Sequence, residues 1–261
     1  MRWLAEITSL LCLSVMATAT SATEPINTIR VRVTEYAPLY FQQNDTWRGL
    51  DVELVTALVE GAGYKVSFES LPWARALESL KTGDIDIVLN VTWTAERANY
   101  MHFIGPQRQS RRILAVRKEN ADAKVTNLDE LAVMANKCGP IGIQLGANYS
   151  PEFDRRLKED APFSAHFDRV PKANTLPLKT VMGHNCGFVE EEYWIKYQIQ
   201  QDKRYDDLRP TTFAVADERV HYGINPHLPA SVVQRLRESY QKQESTGVME
   251  KIRRKWGVSA Q

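Results

Sequence analysis

Apolar positions along this chain repeat with two periods in alternation, one suited to strands and the other to helices. Ile29, Val31 and Val33 interleave with Arg30, Arg32 and Thr34, the two-residue period of a half-exposed strand. A turn region with Pro38, Asn44-Asp45 and Gly49 follows. Leu50, Leu54, Val55 and Leu58 then recur at helical spacing, and Gly61 and Gly63 end that helix. Residues 64–70 read as a second strand through Val66 and Phe68. Trp73, Leu77 and Leu80 predict a helix entered at Pro72 and stopped at Gly83. Ile85, Ile87, Val88 and Leu89 form the near-continuous apolar run of a strand covered on both faces.

After a strand suggested over 111–118, the cycle restarts. Helices are expected near 127–135, 152–157 and 175–182, with strands at 141–143, 166–170 and 186–189. Strands at 213–215 and 220–224 and a largely helical stretch over 230–256 close the chain. Strand–helix alternation with short links predicts parallel sheets with right-handed crossovers, and two such cycles predict two α/β lobes with a cleft between them. Ligands of open α/β sheets bind beyond the carboxyl ends of the strands. The residues following Val33, Leu89, Ile143 and Val189 are therefore the candidates.

Composition narrows the class. The chain has 261 residues, 43% apolar and 25% charged, with a formal net charge of +1. This is the profile of a soluble globular protein and not of a phosphate-tracking one, so no nucleic-acid partner is expected. The basic doublets Arg111-Arg112 and Arg253-Arg254 lie among scattered acids and are expected on a solvated face. Residues 1–22 read as a signal peptide: Arg2, an apolar stretch from Ile7 to Ala19, and small residues at Ala17-Thr18-Ala19 and Thr20-Ser21-Ala22. Removal of that leader, with Cys12, leaves Cys138 and Cys186 in an oxidising compartment. The pair reads either as a disulfide or as two separately buried thiols.

At the strand ends the residue types suit an anion. After Leu89 come Asn90, Thr92, Thr94 and Arg97. Thr94 is placed to cap a short helix whose free N–H groups favour negative charge. The planar fork of Arg97 can grip a carboxylate with two parallel hydrogen bonds, assisted by the Thr92 hydroxyl. Asn148, after the turn at Gly146, is a candidate second-lobe contact or a helix cap. Glu190-Glu191-Glu192 follows Val189, and Glu191, with Glu190 beside it, is the candidate partner for an ammonium group. Tyr36 and Trp73 offer flat apolar walls.

These residues resemble a known family. Gly49-Leu50-Asp51-Val52-Glu53-Leu54, Pro72-Trp73, Leu80-Lys81-Thr82-Gly83-Asp84-Ile85-Asp86 and Thr92-Trp93-Thr94-Ala95-Glu96-Arg97 are similar to the family-3 periplasmic solute-binding proteins of ABC transporters. Tyr222-Gly223-Ile224 and residues 247–256 continue the likeness. The resemblance implies a type II two-lobed fold, each lobe a mostly parallel sheet flanked by helices, joined by a two-strand hinge near 112–118 and 211–215. The corresponding division is 23–112 for the first lobe, 113–213 for the second, and 214–261 returning to the first. It further implies a periplasmic monomer that binds a small carboxylate-bearing solute, an amino acid, and delivers it to an ABC permease, without cofactor, metal or turnover. Arg97 matches the carboxylate-binding arginine, Asn90 and Thr92 its neighbours, Tyr36 and Trp73 the side walls, and Asn148 a loop position that otherwise carries a hydroxyl. Glu191 matches an acidic position that holds the α-amine. The resemblance also places the Cys138 and Cys186 segments on neighbouring strands, which implies the bridge. Two other readings share the scaffold: an enzyme like cyclohexadienyl dehydratase, with Glu190 or Glu191 as general acid, and a module that senses ligand for a membrane receptor.

Overall fold

A computed structural model describes residues 26–258. The expected signal peptide lies outside the described residues. Strands are β1 Thr28–Val33, β2 Phe41–Gln43, β3 Thr46–Arg48, β4 Lys65–Ser70, β5 Ile87–Thr92, β6 His102–Arg117, β7 Ile141–Gln144, β8 Phe167–Val170, β9 Gly187–Glu191 and β10 Leu208–Ile224. Helices are α1 Leu50–Gly61, α2 Trp73–Thr82, α3 Ala95–Ala98, α4 Leu128–Cys138, α5 Pro151–Glu159, α6 Ala161–Ser164, α7 Leu176–Val181, α8 Glu192–Gln201, α9 Ala230–Ser245 and α10 Val248–Lys255.

Eight strands form one sheet in the order β4-β1-β5-β10-β6-β9-β7-β8. Each end repeats one motif: β1 runs parallel between β4 and β5, and β7 runs parallel between β8 and β9. The middle is antiparallel, through β5–β10, β10–β6 and β6–β9. The two-lobed α/β expectation therefore holds, and β6 and β10 are the only sheet strands that run through both halves among the described residues. Leu114, Val116, Leu131, Ile141, Phe153 and Val189 form one core cluster within the second lobe, while a larger one joins β1, α1, α9 and α10 to Leu176, Phe188 and Trp194 of the second lobe.

Local chemistry fixes several boundaries. Pro72 enters α2, and Gly83, with φ 87°, stops it in the left-handed conformation that glycine adopts without penalty. Ser150 and Asn127 cap α5 and α4 through side-chain acceptors. Asn44 and Asp45, both with positive φ, make the two-residue turn of the β2–β3 hairpin, which the sequence showed only as a turn region. The strands near the hinge are longer than their apolar runs. β6 begins at His102 and β10 is continuous over 17 residues, because pairing between the two stabilises polar stretches that periodicity leaves blank.

Cys138 and Cys186 form a disulfide with a Cα–Cα distance of 5.3 Å, closing a separation of 48 residues. Cys138 is the last residue of α4 and not part of a strand, while Cys186 immediately precedes β9. Replacing both by alanine is expected to lower the unfolding free energy by about 2–4 kcal/mol, through the chain entropy restored to the unfolded state. A melting curve unchanged in that variant would contradict this.

Candidate functional site

β5 is buried along its whole length and runs on to Thr92, so Asn90 and Thr92 belong to the strand and do not follow it. Asn90 holds φ 61°, a left-handed backbone that costs a non-glycine residue about 1–3 kcal/mol unless its surroundings fix it. Its N–H donates to Gln107 Oε1 at 3.1 Å, while its own Oδ1 is buried without a partner. The Thr92 hydroxyl donates to Glu218 Oε1 at 2.7 Å, and the Thr92 carbonyl accepts from Arg97 Nη1 at 3.1 Å. Thr94 caps α3 as expected, by accepting from the Arg97 N–H at 3.1 Å. That N–H is thereby used within the protein, and a four-residue helix supplies little dipole, so the anion-binding chemistry rests on the guanidinium.

Arg97 is 3% exposed, packs 5.7 Å from the Trp73 ring centroid, and has no carboxylate partner among the described residues. Burial pulls its pKa below the ordinary guanidinium value, and repulsion from Arg112 adds to this, while Tyr100 and Asp154 oppose it. It lines a hollow of about 350 Å³ together with Tyr100 and Asn148. Asn148 is tied to Asp154, donating to Oδ2 at 3.1 Å. Trp73 joins the lobes: its Nε1–H donates to the Gly146 carbonyl at 2.9 Å. Gly146 turns that carbonyl toward α2 through a φ of 75°.

An adjoining cavity of about 220 Å³ shares Ala147 with that hollow and is lined by Arg32, Tyr36, Trp73, Asn90, Arg112 and Gln144, among others. Tyr36 stacks on Trp194 with centroids 4.9 Å apart and 6° between planes, so its ring is held rigidly as a wall. Tyr36, Trp73 and Asn90 thus meet in one cavity, and Arg97 and Asn148 in the next.

Glu191 lies elsewhere. It is buried at the end of β9, where Arg108 grips it through Nη2–Oε2 at 2.9 Å and also binds Asp51 through Nε–Oδ1 at 2.9 Å. A carboxylate so engaged offers nothing to a solute. Glu190 is the one directed toward the cavity wall: Tyr36 Oη–H donates to Glu190 Oε2, and Arg112 Nη1 lies 3.6 Å from the same atom. Burial raises the Glu190 pKa, and Arg112 and Tyr36 oppose the rise. Neither residue lines the cavity itself.

Arg32 and Arg112 are lining residues that the sequence did not single out. Arg32 was expected on the exposed face of β1, but it is 2% exposed because Tyr40 and Trp73 pack over that face. Arginines alternating along a central parallel strand are the signal that could have found it. Arg112 and Arg253 depart from the expected solvated face. One member of each basic doublet is buried, Arg112 beside Glu190 and Arg253 against Glu244.

Comparison with known proteins agrees with this architecture. Residues 29–259 match the model of the bacterial extracellular solute-binding proteins, family 3. A probable histidine-binding protein of Neisseria gonorrhoeae is 30% identical over 141 residues, 52% of this chain, which spans about half (49%) of that relative's length. The arginine-binding extracellular protein ArtP of Bacillus subtilis (strain 168) is 24% identical over 231 residues, 85% of this chain and 82% of its own. Among solved structures, an ancestral arginine-binding protein bound to arginine superposes with a TM-score of 0.73 at 20% identity, over 88% of this chain and 98% of its own. A histidine kinase sensor domain similar to periplasmic binding proteins reaches 0.77 at 23% identity, over 90% and 99%. The chain belongs to the family-3 bacterial extracellular solute-binding proteins.

Proposed function

We propose that this protein is a periplasmic monomer that captures a small carboxylate-bearing solute, an amino acid, between two closing lobes and delivers it to an ABC permease. The observation that carries this reading is Arg97: a buried cation with no carboxylate partner among the described residues, held against the interlobe Trp73–Gly146 contact. Desolvating an unpaired charge is costly, so a site that keeps one is built for an anion supplied from outside. Relatives named for histidine and arginine binding support an amino acid. Lobe boundaries at 112/113 and 213/214 fall inside β6 and β10, so the hinge is two antiparallel strands that bend.

Binding without turnover is the favoured reading. The acids that an enzyme on this scaffold would use are taken: Glu191 by Arg108 and Glu190 by Tyr36 and Arg112. A sensory role shares the same binding physics, and a pull-down of the membrane partner separates it from transport. The direct test is a thermal-shift screen of amino acids and small carboxylates. A true ligand at 100 times its Kd is expected to add about 2.7 kcal/mol of stability. No stabilisation by any carboxylate would overturn the proposal.

Closure is expected to depend on Trp73. Trp73→Phe keeps the aromatic wall but deletes the Nε1–H donor to Gly146, and affinity should fall about three- to tenfold, the contribution of one neutral hydrogen bond. Isothermal titration checks this, and an unchanged Kd would show that the contact plays no part in the closed state.

A further inference from the structure

Five arginines are buried among the described residues: Arg32, Arg97, Arg108, Arg112 and Arg253. Three have carboxylate partners, Arg108 with Asp51 and Glu191, Arg112 with Glu190, and Arg253 with Glu244. The two without are Arg32 and Arg97, and both lie against the same indole, at 5.5 and 5.7 Å from the Trp73 ring centroid. They line the two adjoining hollows that meet at Ala147. One unpaired guanidinium suits a single carboxylate. A second one beside it requires another explanation.

Arg32 is held in place as a binding group and not neutralised. Its Nε donates to the Leu71 carbonyl at 2.8 Å and its Nη1 to Tyr40 Oη at 3.4 Å, while Nη2 has no hydrogen-bond partner among the described residues. Tyr40 and Trp73 flank the guanidinium, at 5.7 and 5.5 Å. The acid lining this cavity, Glu35, lies at its exposed rim and accepts from the Gln42 N–H. Arg112 adds a second positive group to the lining. A cationic side chain would be repelled here, and a neutral amide would leave a desolvated charge unmatched.

We propose that the solute carries two acidic groups, one for Arg97 and one for Arg32, so that this chain prefers a small diacid over its amide and over basic amino acids. The inference rests on the carboxylate-capture reading above. It assigns Arg32 as the residue that sets specificity within it.

Isothermal titration with glutamate, aspartate, glutarate, succinate, glutamine, asparagine and arginine tests the inference. The tightest diacid is expected to bind at least about tenfold more tightly than either amide or arginine, the effect of one charge-assisted hydrogen bond. Arg32→Gln should reduce that ratio by about tenfold, with the diacid losing affinity and the amide holding or gaining it as the unmatched charge is removed, a split that a purely structural role would not produce. Should Arg32→Gln fail to fold, the wild-type ratio alone decides. An amide or arginine binding as tightly as every diacid overturns the inference and leaves carboxylate capture standing. Equal weakening of both sets by Arg32→Gln also overturns it. Binding of none of the seven at millimolar concentration overturns this inference, and a negative thermal-shift screen beside it overturns carboxylate capture as well.

Discussion

Arg97→Ala is expected to abolish the ligand-induced rise in Tm while leaving the unliganded protein nearly as stable as before. Removing one partner of a buried, hydrogen-bonded charge pair costs about 2–5 kcal/mol, much of it from stranding the other charge. Affinity should therefore fall roughly thirtyfold to several-thousandfold. The unliganded state loses little, because Arg97 makes one hydrogen bond to the Thr92 carbonyl and packs on Trp73, and alanine also relieves a desolvated cation of its burial cost. A change of no more than about 3 °C in the unliganded Tm is expected. Thermal-shift curves of both proteins with and without the best ligand decide the matter. A variant that still gains the full shift would show that the solute's anion is held elsewhere.

Arg108→Met should behave in the opposite way, with a large loss of stability in the unliganded protein. Arg108 lies between Asp51 of α1 and Glu191 of β9, all three buried, and so ties the first lobe to the last strand of the second. Replacing the cation leaves two carboxylates without a partner in the same dry space. Breaking a buried pair from one side costs about 3–5 kcal/mol. The sign of the pH dependence follows. In the variant Asp51 would lose the guanidinium that opposes its burial and its pKa would rise further above the unfolded value, so the folded state would bind more protons than the unfolded one. Stability of the variant should then rise as pH falls toward the carboxylate range and be lowest near neutrality. Burial already raises the pKa of Asp51 in the intact protein, with Arg108 opposing it. Urea unfolding across pH measures this. A midpoint equal to that of the intact protein at neutral pH would mean that the cluster contributes nothing.

Much of the architecture was readable because periodicity and punctuation agreed. α1, α2 and α4 fall where apolar spacing and their flanking glycine, proline and asparagine place them. Two repeated cycles gave the two lobes, and Tyr36, Trp73 and Asn90 line one hollow while Arg97 lines the next. What escaped was decided by partners distant in the chain. The Arg30–Arg32 alternation has the period of a half-exposed strand, yet Arg30 is matched by Asp86 and Arg32 by the walls of Tyr40 and Trp73, and both partners come from other elements. Three consecutive glutamates have no intrinsic order of importance. The pleat of β9 sends Glu191 to Arg108 and Glu190 to Tyr36 and Arg112, and a one-residue difference exchanges those surroundings. The hinge strands were read too short, over 111–118, 213–215 and 220–224, because their polar stretches are held by pairing with each other.

The most direct test of the account is isothermal titration of the intact protein with L-amino acids and their α-carboxamides. If a buried guanidinium neutralises the α-carboxylate, converting that group to an amide should weaken the best ligand by at least about thirtyfold. An amide that binds as tightly as its parent acid would contradict the account.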